Sequence, residues 1–140
     1  MKKEQSVPHY NFHYVRFHGK HYPLIPVTLR NGQYRVKTFA LIDSGASISV
    51  FRPEISKALH LPVKRKAKVH LGTANGGVDI VVSKVEIQVE RTRFKTKIGF
   101  STNFATSFNI LGREGFFHKF SVCFNEIMKT VIMVPLEELP

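Results

Sequence analysis

Apolar side chains fall on every second position through the middle of this chain, and that alternation restricts it to a fold built from sheet. Between Ser83 and Glu90, Val85, Ile87 and Val89 alternate with Lys84, Glu86, Gln88 and Glu90, the period of a strand with one buried and one wet face. Arg91, Arg93, Lys95 and Lys97 then alternate with Thr92, Phe94, Thr96 and Ile98, which predicts a second strand with a basic face. Upstream, the runs Tyr22 to Leu29 and Gln33 to Ile42 flank Asn31-Gly32, a strong hairpin signal. No stretch holds a 3.6-residue period over three or more turns, and there is no internal repeat, low-complexity tract or linker. The expectation is a mainly β chain with one or two short helices, and 140 residues make one domain with a sizeable core.

The second hairpin strand ends in Leu41-Ile42-Asp43-Ser44-Gly45-Ala46-Ser47. A carboxylate delivered by an apolar run is either compensated or used, because its ionised form is costly in low-dielectric surroundings. Asp43 is one of two aspartates, and the other, Asp79, stands in a different context, Val78-Asp79-Ile80. Acid chemistry therefore centres on Asp43. Two carboxylates held close together share a proton, and such a pair can polarise a water while protonating a carbonyl.

Asp43-Ser44-Gly45-Ala46 at the end of a hydrophobic strand resembles the active-site signature of the retropepsin-like, single-domain branch of the aspartic proteases. Phe108-Asn109-Ile110-Leu111-Gly112-Arg113 resembles the hydrophobic-hydrophobic-Gly-Arg element that follows the flap strands in that family and packs beneath the aspartate loop. Between them, the small, glycine-rich tip Leu71-Gly72-Thr73-Ala74-Asn75-Gly76-Gly77 suits a mobile hairpin. After the aspartate motif, Phe51 to Pro62 reads as a short helix, with Pro53 in its first turn, Glu54 complementing the dipole and Pro62 ending it. The similarity in order covers about residues 24 to 120.

The resemblance implies a closed β-barrel of the acid-protease fold, assembled as a two-fold homodimer, and an aspartic endopeptidase with no cofactor. Residues 1–21 would form an N-terminal arm or extra strand, and 22–140 the protease domain. Asp43 would be catalytic, and because Asp-Ser-Gly occurs once, the second Asp43 would come from a two-fold-related copy. Ser44 would donate hydrogen bonds that fix the loop, and Ser44 and Gly45 would order it and line the cleft, with Ala46 completing the active-site loop. Thr73, Ala74, Asn75, Gly76 and Gly77 would cover a peptide or protein substrate, Gly112 would make room beneath the site, and Arg113 would brace it. In the family an acid usually stands four positions after the catalytic aspartate and pairs with that arginine; here the position is Ser47, so Glu114 or a group from another subunit would take the role. All four tyrosines precede Asp43, so no flap tyrosine of the pepsin kind is present. The family's terminal strands interleave at the dimer interface, and Thr130 to Leu136 offers itself either for that or as an ordinary core strand.

The net charge of +11 introduces a second class, a basic nucleic-acid-binding protein, although no recognised binding motif accompanies the charge. The basic residues gather in Lys64 to Lys68 and in the Arg91 to Lys97 strand. A blander account sets that strand beside the Glu86 and Glu90 face as cross-strand pairs, and a third makes it a rim for acidic substrates or partners. A non-catalytic peptide-binding or dimerisation module on the same fold is the remaining alternative. His9 with His13, or His18 with His21, has metal-pair spacing, but without a third ligand an aromatic arm packed on the domain is the simpler reading. Cys123, the one cysteine, allows no intrachain disulfide and reads as a buried structural thiol. Ser44, Ser47 and Ser49 lie in no nucleophile elbow, and hydrogen bonding within the loop is the simpler role. With no apolar leader, no run near the roughly 20 residues that span a bilayer and no disulfide framework, a cytoplasmic protein without membrane contact is expected.

Overall fold

A computed structural model of the chain describes residues 8–62, 68–72, 77–103 and 107–136. Strands β1 (Tyr10–His13), β2 (Val15–Phe17) and β3 (Lys20–Tyr22) lead into β4 (Leu24–Asn31) and β5 (Tyr34–Ile42). The pair β4–β5 is the expected antiparallel hairpin, with Asn31 opposite Tyr34. Its loop is Gly32-Gln33, and the positive φ of +58° falls on Gly32, the first central position, where a type II′ turn places its glycine.

After β5 come β6 (Val50–Phe51), the helix α1 (Pro53–Ala58), β7 (Lys68–Leu71), β8 (Val78–Val89), β9 (Thr92–Ser101) and β10 (Asn109–Leu111). Hydrogen-bonded neighbours run β4, β5, β10, β6, β9, β8, and β8 pairs again with β4 through Thr28↔Gln88, Leu29↔Ile87 and Arg30↔Glu86. That last pairing closes a six-stranded barrel, leaving no free edge along its seam. The predicted alternation sets the inside: Leu29, Val85, Ile87, Val89 and Ile98 are buried together with Phe51, Phe116 and Leu111.

β11 (Phe120–Asn125) and β12 (Thr130–Pro135) join β1 in a separate three-stranded sheet of order β1-β12-β11. Of the two roles open to Thr130 to Leu136, this sheet gives the core strand: both edges of β12 are occupied within the chain, and Val131 and Met133 are fully buried. Tyr10 ties the sheet to the barrel by a 2.8 Å hydrogen bond between its hydroxyl and that of Thr92. Tyr14 donates to Glu126 Oε1 at 2.8 Å; burial first, then this bond and the Glu126 charge, push the Tyr14 phenol up to about 12.

Three expectations are corrected. The helix is shorter than Phe51 to Pro62, because Phe51 belongs to β6 and the helix stops before His60, at φ +51°. There Leu61 N donates to Ser56 O and His60 N to Lys57 O, a Schellman ending, so Pro62 lies beyond the terminus rather than causing it. Cys123 is exposed on β11 instead of buried. The basic strand is only partly neutralised: Glu86 opposes Lys95, but Lys84 faces Lys97 and Glu90 sits in the β8–β9 turn.

Among the described residues no group of three or more metal-ligating side chains is gathered. His18 instead forms the β2–β3 turn with Gly19, φ +48° and +76°. No helix of the described residues is long and apolar enough to cross a membrane.

Candidate functional site

β5 carries Asp43 off the end of the barrel wall, and β10 fixes where it stops. Leu111 lies beside Ile42 in the parallel β5–β10 pair, and Asp43 N donates to Leu111 O at 3.0 Å. The carboxylate then folds over its own loop: Gly45 N donates to Asp43 Oδ1 at 2.9 Å, and Ala46 N to Asp43 O at 3.2 Å. This Asx turn is the local geometry that Asp followed by Ser-Gly favours. Ser44 and Gly45 are exposed at the tip, while Asp43 and Ala46 are half-buried.

The loop is locked from below by the strand-end segment after β10. Arg113 N donates to Ala46 O and Glu114 N to Ser47 O, both at 2.9 Å, so loop and segment run as a short parallel ladder bridged at Ile48 and Glu114. Gly112 sits so close beneath that a Cβ there would lie 2.5 Å from Ile48 O and 2.9 Å from Ala46 O. The room beneath the site expected of Gly112 is therefore occupied by backbone, which no flexible side-chain end can yield.

Within the chain, the hydroxyl of Ser49 fixes the loop. Ser49 is fully buried; its Oγ accepts from Gly112 N at 3.0 Å and donates to Glu114 O at 3.0 Å. Its backbone is held as well, accepting from Gly99 N at 2.9 Å. Asn109 acts similarly at the other end of β10: its Oδ1 accepts from Arg52 N at 2.8 Å, and its Nδ2 donates to Phe39 O at 2.9 Å. Both are buried polar groups with their bonding complete. The sequence signal was a polar residue inside an apolar run, Ile48-Ser49-Val50-Phe51 and Phe108-Asn109-Ile110-Leu111.

Arg113 is exposed, and among the described residues no carboxylate stands within ion-pair distance of it; Glu114 contributes through its backbone. Of the expected covering segment, Thr73, Ala74, Asn75 and Gly76 lie outside the described residues, and Gly77 immediately precedes β8. The other aspartate, Asp79, is engaged within the β7–β8 pair, where it stands opposite His70 with Oδ1 2.8 Å from His70 Nδ1.

A family model described as aspartyl protease matches residues 25–113. Among solved structures, a retropepsin-like aspartic protease from Rickettsia conorii aligns with a TM-score of 0.66 at 18% identity, covering 91% of this chain and 99% of that one. EIAV protease complexed with the inhibitor HBY-793 aligns with a TM-score of 0.53 at 22% identity, covering 71% of this chain and 88% of that one. No curated protein matches. At these identities the structural likeness concerns the fold, which is retropepsin-like and mainly β.

Proposed function

Because this chain belongs to the aspartyl protease family, we propose that it is an endopeptidase whose catalytic pair is Asp43 from each of two subunits of a homodimer. The observation that carries the reading is the anchoring of Asp43: its backbone is clamped to Leu111 and its carboxylate is turned by Gly45 N, with Oδ2 outside that bond. A carboxylate so placed on an exposed tip can meet a second copy of itself on a two-fold axis. Asp79 does not suit the second role, since it is paired with His70 on another hairpin.

When two such carboxylates approach, one proton is shared between them. The ionised member takes a proton from a water as its oxygen attacks the scissile carbonyl, while the protonated member donates to the carbonyl oxygen. The resulting tetrahedral diol collapses as the newly protonated carboxyl gives its proton to the departing amine and the ionised one takes a proton from a diol hydroxyl, which leaves the acid product and returns the pair to one shared proton. Ser44, Gly45 and Ala46 line the cleft. The Thr73 to Gly77 segment covers the peptide, which is bound by β-augmentation. Gly112 and the exposed Arg113 support the loop, Arg113 finding its carboxylate across the interface. Since β1 and β11 already flank β12, the dimer contact is built around the Asp43 tips rather than by adding strands to β12. Residues 1–21 then serve as an N-terminal arm or extra strand, with 22–140 as the protease domain. An exposed, free Cys123 suits a reducing cytoplasm.

The test is cleavage of a diverse peptide mixture from about pH 4 to 8 by the wild type and by Asp43→Asn, over a range of protein concentrations. The expected result is cleavage that is lost in the variant and rises with the square of concentration where monomer predominates. Cleavage surviving in Asp43→Asn would refute the assignment. Silence from a wild type shown to be dimeric would turn the reading to a peptide-binding module.

A further inference from the structure

The outer wall formed by β5, β4, β8 and β9 carries more positive charge than a barrel needs. β9 turns Arg93, Lys95 and Lys97 to solvent, and Lys84 of β8 joins them from the next strand. Across the closure seam, β4 adds Arg30 and β5 adds Arg35 and Lys37. Two register pairs set like charges directly opposite one another, Arg30↔Arg35 and Lys84↔Lys97, an arrangement that destabilises a sheet. Along these rows the acid within the strands is Glu86, opposite Lys95 and 3.7 Å from Arg30. Fold stability does not account for such a pattern.

Two open depressions lie between these side chains. One groove of about 430 Å³ runs over Thr28, Arg30, Arg35 and Lys37 to Gln88 and Glu90. A second, of about 410 Å³, lies between Arg30, Lys84, Glu86 and Lys95. Arg30 borders both, one on either side of it.

We infer that this wall binds a strand of nucleic acid through its phosphates. Protein interfaces have cores depleted of Lys and Glu and enriched in aromatics, whereas these grooves are walled by charged and amide groups, the character of a nucleic-acid interface. Phe39, 53% exposed, ends the outward row Arg35, Lys37, Phe39 and gives a base a face to stack on. With alternate residues about 6.8 Å apart and strands about 4.8 Å apart, the cations span about 14 Å in each direction, room for about four phosphate contacts. Phe39, the nearest of these residues to Asp43, precedes it by four, about 14 Å along the chain, and Arg35 by eight, about 27 Å, so the cations lie apart from the carboxylate loop and the site stands whether or not the protein cleaves peptides.

The test uses a fluorescein-labelled 12-mer of deoxythymidylate and the full chain. About four contacts to a single strand predict a salt slope near −2.8, or about 50-fold weaker binding at 200 mM than at 50 mM salt. The double variant Arg35→Glu/Lys97→Glu converts both like-charge pairs into opposite-charge pairs, so it keeps or raises the melting temperature while binding falls at least 10-fold and the slope drops by about 1.4. Arg16→Glu/Lys20→Glu makes the same charge change on the β2–β3 hairpin and serves as the control, expected to stay within twofold. Equal losses in both variants would overturn the site in favour of net charge alone. No binding at 50 mM salt would overturn it outright. Displacement of the oligonucleotide by poly-glutamate of matched charge at equal concentration would replace it with an acidic protein partner.

Discussion

Replacing Gly112 with alanine puts a methyl group into the backbone that holds Asp43. The new carbon would lie 2.5 Å from Ile48 O, 2.6 Å from Ile48 C and 2.9 Å from Ala46 O. Ordinary carbon contacts settle at no less than about 3.5 Å, so one of the two facing segments must retreat by about 1 Å. The atoms that must move are carbonyls of the aspartate loop, and Ala46 O is already bonded to Arg113 N. Overpacking of this kind costs about 1 to 3 kcal/mol, and in a domain of this size that lowers the melting temperature by about 3 to 10 °C. For the proposed peptidase activity the consequence is larger, because an Asp43 displaced by about 1 Å from its productive position would forfeit on the order of 100-fold in rate. Thermal unfolding followed by circular dichroism, with Gly72→Ala as the stability control, separates the terms. Gly72 has nothing within 4 Å of its would-be Cβ, so its variant should melt like the wild type. A Gly112→Ala protein with wild-type melting temperature and wild-type turnover would refute the steric lock.

Two further perturbations address the supports around the loop. Ser49→Ala leaves Gly112 N without its buried acceptor, and urea unfolding should show a loss of about 1 to 3 kcal/mol; a loss under about 0.5 kcal/mol would mean that the bond contributes nothing net. Tyr14 keeps its proton in the fold up to about pH 12, whereas an unfolded phenol loses it near pH 10. Its stabilising contribution is thus fully present below about pH 10 and lost as pH climbs towards 12. The stability gap between wild type and Tyr14→Phe should shrink across that window, and a gap that stayed constant would contradict the assignment.

What the sequence disclosed was whatever rests on local periodicity. The alternation of Val85, Ile87 and Val89 and the glycine after Asn31 placed β4 and β5 within two residues of their ends and the last residue of β8 within one, although β8 begins at Val78, five residues before the alternation read from Ser83; strand facing and turn chemistry are nearest-neighbour effects. Asp43 stood out for a related reason, being an acid where an apolar run stops. Ser49 and Asn109 were harder to see as supports. Their partners, Gly112 and Glu114 for one and Phe39 and Arg52 for the other, are distant in sequence, and a buried hydroxyl in an apolar run looks like any strand serine until the facing backbone is known. The opposition of Lys84 to Lys97 was hidden likewise, since a charge pattern fixes which face a residue occupies while hairpin register fixes what it meets. The exposure of Cys123 belongs here too: β11 lies at the edge of its sheet with one face open, a fact of packing that composition does not carry.

The first and last strands of the described chain are clasped together, Tyr10 beside Met133 and His13 beside Thr130. The polypeptide thus runs a nearly closed circuit, with the barrel as the loop and the β1–β12 pair as its buckle. Trimming at the β1 end does not merely shorten an arm. It opens one side of a strand whose Val131 and Met133 point into the core and whose Ile132 points out, and a bared strand edge of that composition takes its next partner from another molecule. Proteolysis within Tyr10–His13 would accordingly register as self-association.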